Sequence, residues 1–295
     1  MPQSQAPQAP AAGTVCIACV QMAPVIGEAN ANLARSLQLV EQAATQGAQL
    51  VVLPELTNSG YMFANRQEAF ALAEPLPDGP TAQAWIALAQ QLGIYLIAGI
   101  AEHAGDRLYN SALVTGPQGY IGTYRKLHLW DEENQFFEPG NLGLPVFHTE
   151  LGCLGVAICY DGWFPEVYRL LALQGVDIVA VPTNWPSSPE TPENPRIAHA
   201  LAVAGAHSNG LIIACADRSG TERGQYFVGN SLIIDAKGRV LGDPASADQE
   251  EIVIAHVGIQ AARRARRVNA FNHVLHSRRL DVYDVVSSSA PAAMP

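Results

Sequence analysis

Three apolar runs in this chain each end on a side chain capable of chemistry. QLVVLPEL places Glu55 immediately after Pro54. YIGTYRKLHLW carries Lys126 at the end of a β-like run, ahead of Leu127, Leu129 and Trp130. LGVAICYDGWFPE sets Cys159 between an apolar run and a helix expected to begin at Pro165. Strand ends in α/β proteins open into the crevice where ligands bind. Taken singly, each residue has an ordinary reading: a charged side chain at a strand end is usually solvated or salt-bridged, and a free cysteine is among the most buried residue types. Taken together they supply a nucleophile, a proton acceptor and a fixed positive charge, the set that acyl transfer through a covalent intermediate requires. Glu55 would accept the thiol proton and later protonate a leaving amine. Lys126 and the backbone N–H of Tyr160, presented by the strand-to-helix elbow, would hold the tetrahedral oxyanion. Water activated by Glu55 would then release the acyl group.

The elements that must position these groups are legible from periodicity. Apolar runs read as strands at Val15–Gln21, Gln49–Leu53, Ile94–Ile100, Leu154–Ile158, Asp177–Val181, Leu211–Cys215, Gly229–Ile234 and Ile252–His256. Runs buried on both faces lose the polar alternation of a half-exposed strand. Helical spacing marks Asn30–Gln46, Thr81–Leu92 and Ile197–His207, and Pro165–Gln174 begins with proline at the first helical position and stops before Gly175. Asn110–Thr115 and Ile121–Tyr124 flank a turn at Gly116–Gly119, a hairpin signal. Alternating strands and helices imply one α/β domain over residues 15–285 with a mixed sheet. One sheet covered by helices on both faces and two sheets packed in four layers both satisfy the pattern. The Ala/Pro/Gln-rich stretch 1–14 and the stretch 286–295 read as flexible tails.

Composition narrows the partners. The formal net charge is −10, against the basic face a nucleic-acid binder needs, and no nucleic acid is expected. The basic cluster Arg263, Arg264, Arg266 and Arg267 reads as a solvated or salt-bridged helix face. No run approaches the ~18 uninterrupted apolar residues of a membrane span, and the first residues lack a signal peptide's basic start and apolar centre. The five cysteines do not suggest a disulfide framework, so a cytoplasmic location is expected. Cys16 and Cys19 form a lone CxxC on a strand, where residues three apart point to opposite faces, so joint metal ligation is awkward.

With these segments in view, the chain resembles the nitrilase superfamily of carbon–nitrogen hydrolases, through VVLPEL around Glu55, YRKLHLW around Lys126 and GVAICYDGWFPE around Cys159, in matching order and approximate spacing. The resemblance runs from about Val15 to about Val285. It implies an αββα four-layer sandwich with two mixed β-sheets, a Glu–Lys–Cys triad, no cofactor and no metal, and a homodimer or higher homo-oligomer of paired sandwiches. It also implies a second glutamate shortly before a Pro-Gly. In DEENQFFEPGN, Glu133 fits that place better than Glu132 or Glu138, and a carboxylate there could orient Lys126 and the substrate amine. One stretch departs from the pattern. Where members commonly carry Arg-Ala-x-Glu-Asn, this chain has Gly205, Ala206, His207, Ser208 and Asn209, which puts local helix contacts in question but not the triad.

The residues after the cysteine bear on substrate. Tyr160 and Asp161 resemble the amidase side of the superfamily more than the Trp-Glu of well-known nitrilases, and Gly162 and Trp163 stand where arginines would hold the carboxylate of an N-carbamoyl-D-amino acid. A small carboxamide is therefore favoured, with a small aliphatic nitrile as the close alternative and an N-carbamoyl amine third. Trp163, Trp185 after Asn184, and Tyr61 are candidate pocket walls, with core packing the competing role; Phe136 and Phe137 read as core, and His128 as structural. Two rival classes fit the chain less well. A histidine-dependent hydrolase lacks a G-x-S-x-G and a His/Asp pair that stands out with Cys159. A non-catalytic binding module is disfavoured by the presence of all three triad residue types.

Overall fold

The computed structural model describes residues 13–187 and 197–287; most of both expected tails, residues 1–12 and 288–295, lies outside the described residues. In chain order the elements are β1 (Thr14–Gln21), α1 (Ala29–Thr45), β2 (Leu50–Val52), α2 (Arg66–Leu72), α3 (Pro80–Leu92), β3 (Tyr95–Ala104), β4 (Arg107–Gly116), β5 (Gly119–Arg125), α4 (Glu133–Phe136), β6 (Phe147–Thr149) and β7 (Gly152–Val156). After a 3₁₀ turn at Cys159–Trp163 come α5 (Pro165–Leu173), β8 (Ile178–Thr183), α6 (Ile197–Asn209), β9 (Ile212–Asp217), β10 (Thr221–Glu222), β11 (Gln225–Tyr226), β12 (Leu232–Ile234), β13 (Glu251–Gly258), α7 (Ile259–Ala265) and α8 (Leu280–Ser287). No helix among the described residues is long and apolar enough to cross a membrane.

The larger strands form two mixed sheets. The first runs β13-β1-β2-β3-β4-β5 and the second β12-β9-β8-β7-β6. In the first, β1, β2 and β3 are parallel and the rest antiparallel. In the second, β7, β8 and β9 are parallel and flanked by antiparallel partners. Strand alternation explains how one sequence serves two faces. On β1, Val15, Ile17 and Cys19 enter a core shared with the second sheet, while Ala18 and Val20 enter a core shared with α1 and α3. Helices α5 and α6 cover the outer face of the second sheet through Val167, Leu171, Ala198 and Ala202. The result is the four-layer αββα sandwich. A third, smaller cluster of Leu56, Tyr61, Phe63, Phe136, Phe137 and Phe227 gathers at the strand ends.

Two glycines let the chain close up behind the prospective site. A Cβ at Gly99 of β3 would lie 2.4 Å from the Pro54 carbonyl oxygen and 2.5 Å from the Glu55 Cα, and one at Gly140 would lie 2.1 Å from the Arg125 carbonyl oxygen. With no side chain in the way, the Gly99 N–H donates to the Pro54 carbonyl at 3.1 Å and the Gly140 N–H to the Lys126 carbonyl at 2.8 Å. Thus the backbone on which each charged residue stands is fixed by hydrogen bonds.

The basic cluster falls on α7 and just after it. Arg263 reaches Asp177 through two hydrogen bonds of 2.9 and 2.8 Å, and Arg266 stands 3.9 Å from the same carboxylate, so the salt-bridged reading holds for these two.

Candidate active site

Glu55 follows β2, Cys159 follows β7 and Asn184 follows β8, so residues leaving both sheets meet at the carboxyl ends of parallel strands. Lys126 arrives from the end of β5, its N–H bonded to the Asn110 carbonyl at 2.8 Å. The Lys126 ammonium donates to Glu55 Oε1 and to Glu133 Oε1, both at 2.7 Å, and is sealed from solvent. Asn110 donates to the same Glu55 oxygen at 2.7 Å. The Tyr61 hydroxyl donates to Glu133 Oε1 at 2.6 Å. Glu55 Oε2, fully buried, has no hydrogen-bond partner among the described residues.

Cys159 sits at φ +46°, a left-handed backbone that costs a non-glycine residue about 1–3 kcal/mol. Asp161 holds the chain in that shape. Its carboxylate accepts from the Ile158 N–H (2.9 Å), the Tyr124 hydroxyl (2.7 Å), the His128 N–H (3.0 Å) and the His128 ring (2.8 Å). The turn's first i→i−3 bond is donated by Asp161 to Ile158, leaving the Tyr160 N–H outside the turn's own ladder. The Cys159 thiol is buried and within the electrostatic reach of Glu55, Lys126 and Glu133.

The charges shift one another. Burial pushes the Glu55 carboxyl up to about 7; Lys126 pulls it down and Glu133 pushes it up. Burial opposes the Lys126 charge, but Glu133 and Glu55 outweigh it and hold the ammonium above its ordinary range. Burial, with Glu55 and Glu133, drives the Cys159 thiol well above its usual value against the pull of Lys126. At neutral pH the site therefore holds a neutral thiol, a charged lysine and a carboxyl group that titrates nearby. That is the arrangement of a nucleophile that reacts only when a base removes its proton.

The remaining expected site residues divide. Asn184 is buried and donates to the Glu55 carbonyl at 2.8 Å, which ties the second sheet to the first. Trp185 is buried beside it, its N–H bonded to Asp217 at 3.0 Å and its indole Nε1 unpartnered among the described residues. Tyr160 and Trp163 pack with Trp130 in an aromatic group, Tyr160 meeting the Trp130 ring edge-on at 4.8 Å. A cavity of about 60 Å³ opens over Glu133, lined by Tyr61, Trp130, Phe136, Pro186 and Gln225 among others; Cys159, Trp163 and Trp185 are not in its lining. Phe136 and Phe137 pack edge-on against Phe63, as core, although Phe136 also reaches that cavity. His128 stacks on Phe164 with 3.7 Å between ring centres and bonds to Asp161, a structural place. Glu138 pairs with Arg66 at 2.7 Å, away from the lysine, and Glu132 lines the cavity mouth.

In the departing stretch, Gly205 lies against the Tyr168 ring and leaves it room, while Asn209 turns back onto the Gly205 carbonyl at 2.9 Å. Arg169 of α5 donates to the Ser208 carbonyl at 3.0 Å. The stretch shapes helix contacts and contributes no side chain to the charged cluster. Sequence reasoning passed over Asn110, and it used Asp161 only as a substrate marker. A buried asparagine mid-strand and an acidic residue two positions after the cysteine were the available signals.

Comparison with known proteins fits this geometry. The carbon–nitrogen hydrolase family model matches residues 16–267. A protein from Pyrococcus abyssi named nitrilase is 43% identical over 91% of this chain and 99% of its own length. An N-carbamoylputrescine amidase from Solanum lycopersicum is 32% identical over 92% of this chain and 94% of its own. The crystal structure of a carbon–nitrogen hydrolase from Helicobacter pylori superposes with a TM-score of 0.84 at 29% identity, covering 94% of this chain and 99% of that one. The family model spans most of the chain and the relatives cover it nearly end to end; the protein belongs to the carbon–nitrogen hydrolase family of the nitrilase superfamily.

Proposed function

We propose that the enzyme hydrolyses a small carboxamide to a carboxylate and ammonia through a thioester on Cys159. One observation carries the reading. A single buried ammonium, Lys126, is gripped by two carboxylates, and the free oxygen of one of them, Glu55 Oε2, has no partner of its own. An ionised buried oxygen without a donor is costly, and a thiol or water proton would satisfy it. Glu55 takes the proton from Cys159 as sulfur bonds to the amide carbon. Lys126 and the Tyr160 N–H stabilise the oxyanion. The C–N bond breaks as Glu55 passes its proton to nitrogen, and ammonia leaves. Water, deprotonated by Glu55, adds to the thioester carbon; the C–S bond breaks and the thiol is restored. Glu133, pinned by Tyr61, keeps Lys126 aimed. Asn184, Trp185 and Trp163 stand as candidate contacts for the acyl group, and the cavity at Glu133 as the approach for substrate.

A nitrile is the second reading, supported by the likeness to the Pyrococcus abyssi protein named nitrilase. The same thiol would add to the nitrile carbon to give a thioimidate; water would add to that carbon, ammonia would leave as the C–N bond breaks, and the same thioester would remain. The five free thiols support a cytoplasmic location, and a homodimer or higher homo-oligomer completes the proposal. Ammonia release from a panel of small amides, ω-amides, N-carbamoyl amines and nitriles tests the reading. Turnover of amides above the other classes is the expected result; turnover of nitriles alone would replace it by the second reading, and release from none of them would remove it.

A further inference from the structure

Tyr61 is held from two sides, and both tethers lead to Arg218. Along the backbone, the Tyr61 and Met62 N–H groups both donate to Glu222 Oε2 at 2.8 Å. The same oxygen stands 2.9 Å from the Arg218 guanidinium. Along the ring, Tyr61 meets Phe227 edge-on at 5.7 Å, and the Arg218 guanidinium lies over the other ring's face, 4.3 Å from the Phe227 centroid. Arg218 itself is anchored by donating to the Pro24 carbonyl at 2.9 Å. Arg218 and Glu222 are both buried, on the segment between β9 and β10 and on β10, with no contact to Cys159, Lys126 or Glu55 among the bonds described.

Such a buried pair is an expensive way to hold a loop, because two charges must be desolvated. A hydrophobic pair would fill the space. What the ion pair adds is position: a carboxylate accepting two successive N–H groups fixes one backbone orientation, and the guanidinium over Phe227 fixes the ring against which the tyrosine lies. The Tyr61 hydroxyl then meets Glu133 Oε1, the oxygen that also accepts the hydrogen bond of the Lys126 ammonium.

We propose that Arg218 and Glu222 are positioning residues for the reaction, acting through Tyr61 and Glu133 to set the direction of the Lys126 ammonium. The proposal rests on the reading of Lys126 and Glu133 as parts of the reacting site. It says that Glu222 matters only while the Tyr61 hydroxyl is there to transmit it.

A double-mutant cycle tests this. Tyr61→Phe, Glu222→Gln and the double variant are compared with the wild type by kcat and KM on the best substrate of the panel, and by the rate at which iodoacetamide alkylates Cys159, read by mass spectrometry. Each single variant should lower kcat and the alkylation rate about tenfold at nearly unchanged KM, because the misplacement is of a reacting group and not of the substrate. The double variant should also lose about tenfold, since coupled residues are not additive. Phe227→Leu, which removes the ring tether and keeps the ion pair, should show a smaller loss that vanishes in the Tyr61→Phe background; it decides the matter if Glu222→Gln does not fold. Losses that multiply to about a hundredfold, or a folded Glu222→Gln enzyme with wild-type rates, overturn the proposal. Glu55→Gln is run alongside. If it too alkylates and turns over like the wild type, the catalytic reading itself has failed and the positioning proposal falls with it. If Glu55→Gln is impaired while the cycle is additive, only the positioning proposal is lost.

Discussion

Glu55 and Asp177 are carboxylates at opposite ends of the same layered strands, both with no exposed surface and both facing cations. Asp177 lies just before β8, on the side where the parallel strands begin. Arg263 bonds to each of its oxygens, and the Cys153 N–H adds a third bond at 3.1 Å. Glu55 lies just after β2, where the parallel strands end. Lys126 and Asn110 both crowd onto Oε1 and leave Oε2 bare. The cations differ as well: Arg263 is nearly half exposed, whereas Lys126 is sealed. The comparison teaches how to tell two buried ion pairs apart. One is saturated and anchored to a solvated partner, which describes a fastener for α7. The other keeps a vacant acceptor within electrostatic reach of the buried Cys159 thiol, the setting of the proton acceptor we propose; the vacancy alone does not mark one, since Glu222 Oε1 and Asp217 Oδ2 are also buried and unpartnered among the described residues.

The strongest way to break that comparison is to remove the proposed nucleophile and its two charged neighbours. Cys159→Ala should abolish turnover in a protein that melts as the wild type does. Glu55→Gln and Lys126→Ala should each lower kcat/KM by about 10² or more, as expected when a proton acceptor or an oxyanion charge is lost. A Glu55→Gln enzyme within a fewfold of wild type would mean the vacant oxygen has no part in the chemistry.

Titration sharpens it. Burial raises the Glu55 carboxyl to about 7. Below that pH the group is protonated and cannot accept from the thiol. The kcat/KM profile should therefore fall on the acid side with an inflection near 7, dropping about tenfold per pH unit beneath it. The limb should disappear from the residual activity of Glu55→Gln. A flat profile from pH 5 to 8 would mean that Glu55 stays ionised throughout, with the pull of Lys126 outweighing burial, and an acid limb that persists in Glu55→Gln would remove Glu55 as the base.

Asp177→Asn probes the other member of the pair. It keeps the shape and gives up charged hydrogen bonds, each worth about 1.5–3 kcal/mol, so the melting temperature should drop by several degrees. The kcat of the folded enzyme should stay as it was. A loss of kcat with stability intact would make the two carboxylates functionally alike and erase the distinction.

The reach of the sequence follows the same divide. Apolar periodicity marks long elements because each residue's burial repeats with the backbone, and so β1, α1, α3 and the β4–β5 hairpin were legible within a few residues. The grouping of Glu55, Lys126 and Cys159 was legible as three reactive side chains at strand ends, with Glu55 and Cys159 stopping apolar runs abruptly and Lys126 following Arg125 at the end of β5. Glu133 needed the family's spacing to Pro-Gly, since nothing local separates it from Glu132. The short elements β6, β10, β11 and α4 have too few residues to show a period, and tertiary contacts hold them. Asn110 looked like any polar residue in a strand, and Glu222 like any acid in a loop. Their roles lie in partners 55 and about 160 residues away along the chain, which one sequence does not pair.

His128 offers the smallest expected effect and a useful one, because it forms with Asp161 a His–carboxylate contact two residues along the chain from Cys159. A histidine-dependent hydrolase would use such a contact to hold the ring for proton transfer to the sulfur. Here the imidazole stacks flat on Phe164, and Asp161 is the saturated kind of carboxylate, with four bonds shared between its two oxygens. The backbone N–H of residue 128 keeps its bond to Asp161 whatever the side chain. His128→Asn should therefore change kcat by less than about threefold, far short of the ~10²-fold or greater loss that follows removal of a general base. It should lower the melting temperature slightly by losing the ring stack. A loss of 10² or more in His128→Asn, beside an unimpaired Glu55→Gln, would transfer the base from the vacant carboxylate to the saturated pair. The rule drawn from Glu55 and Asp177 would then be reversed at its nearest test.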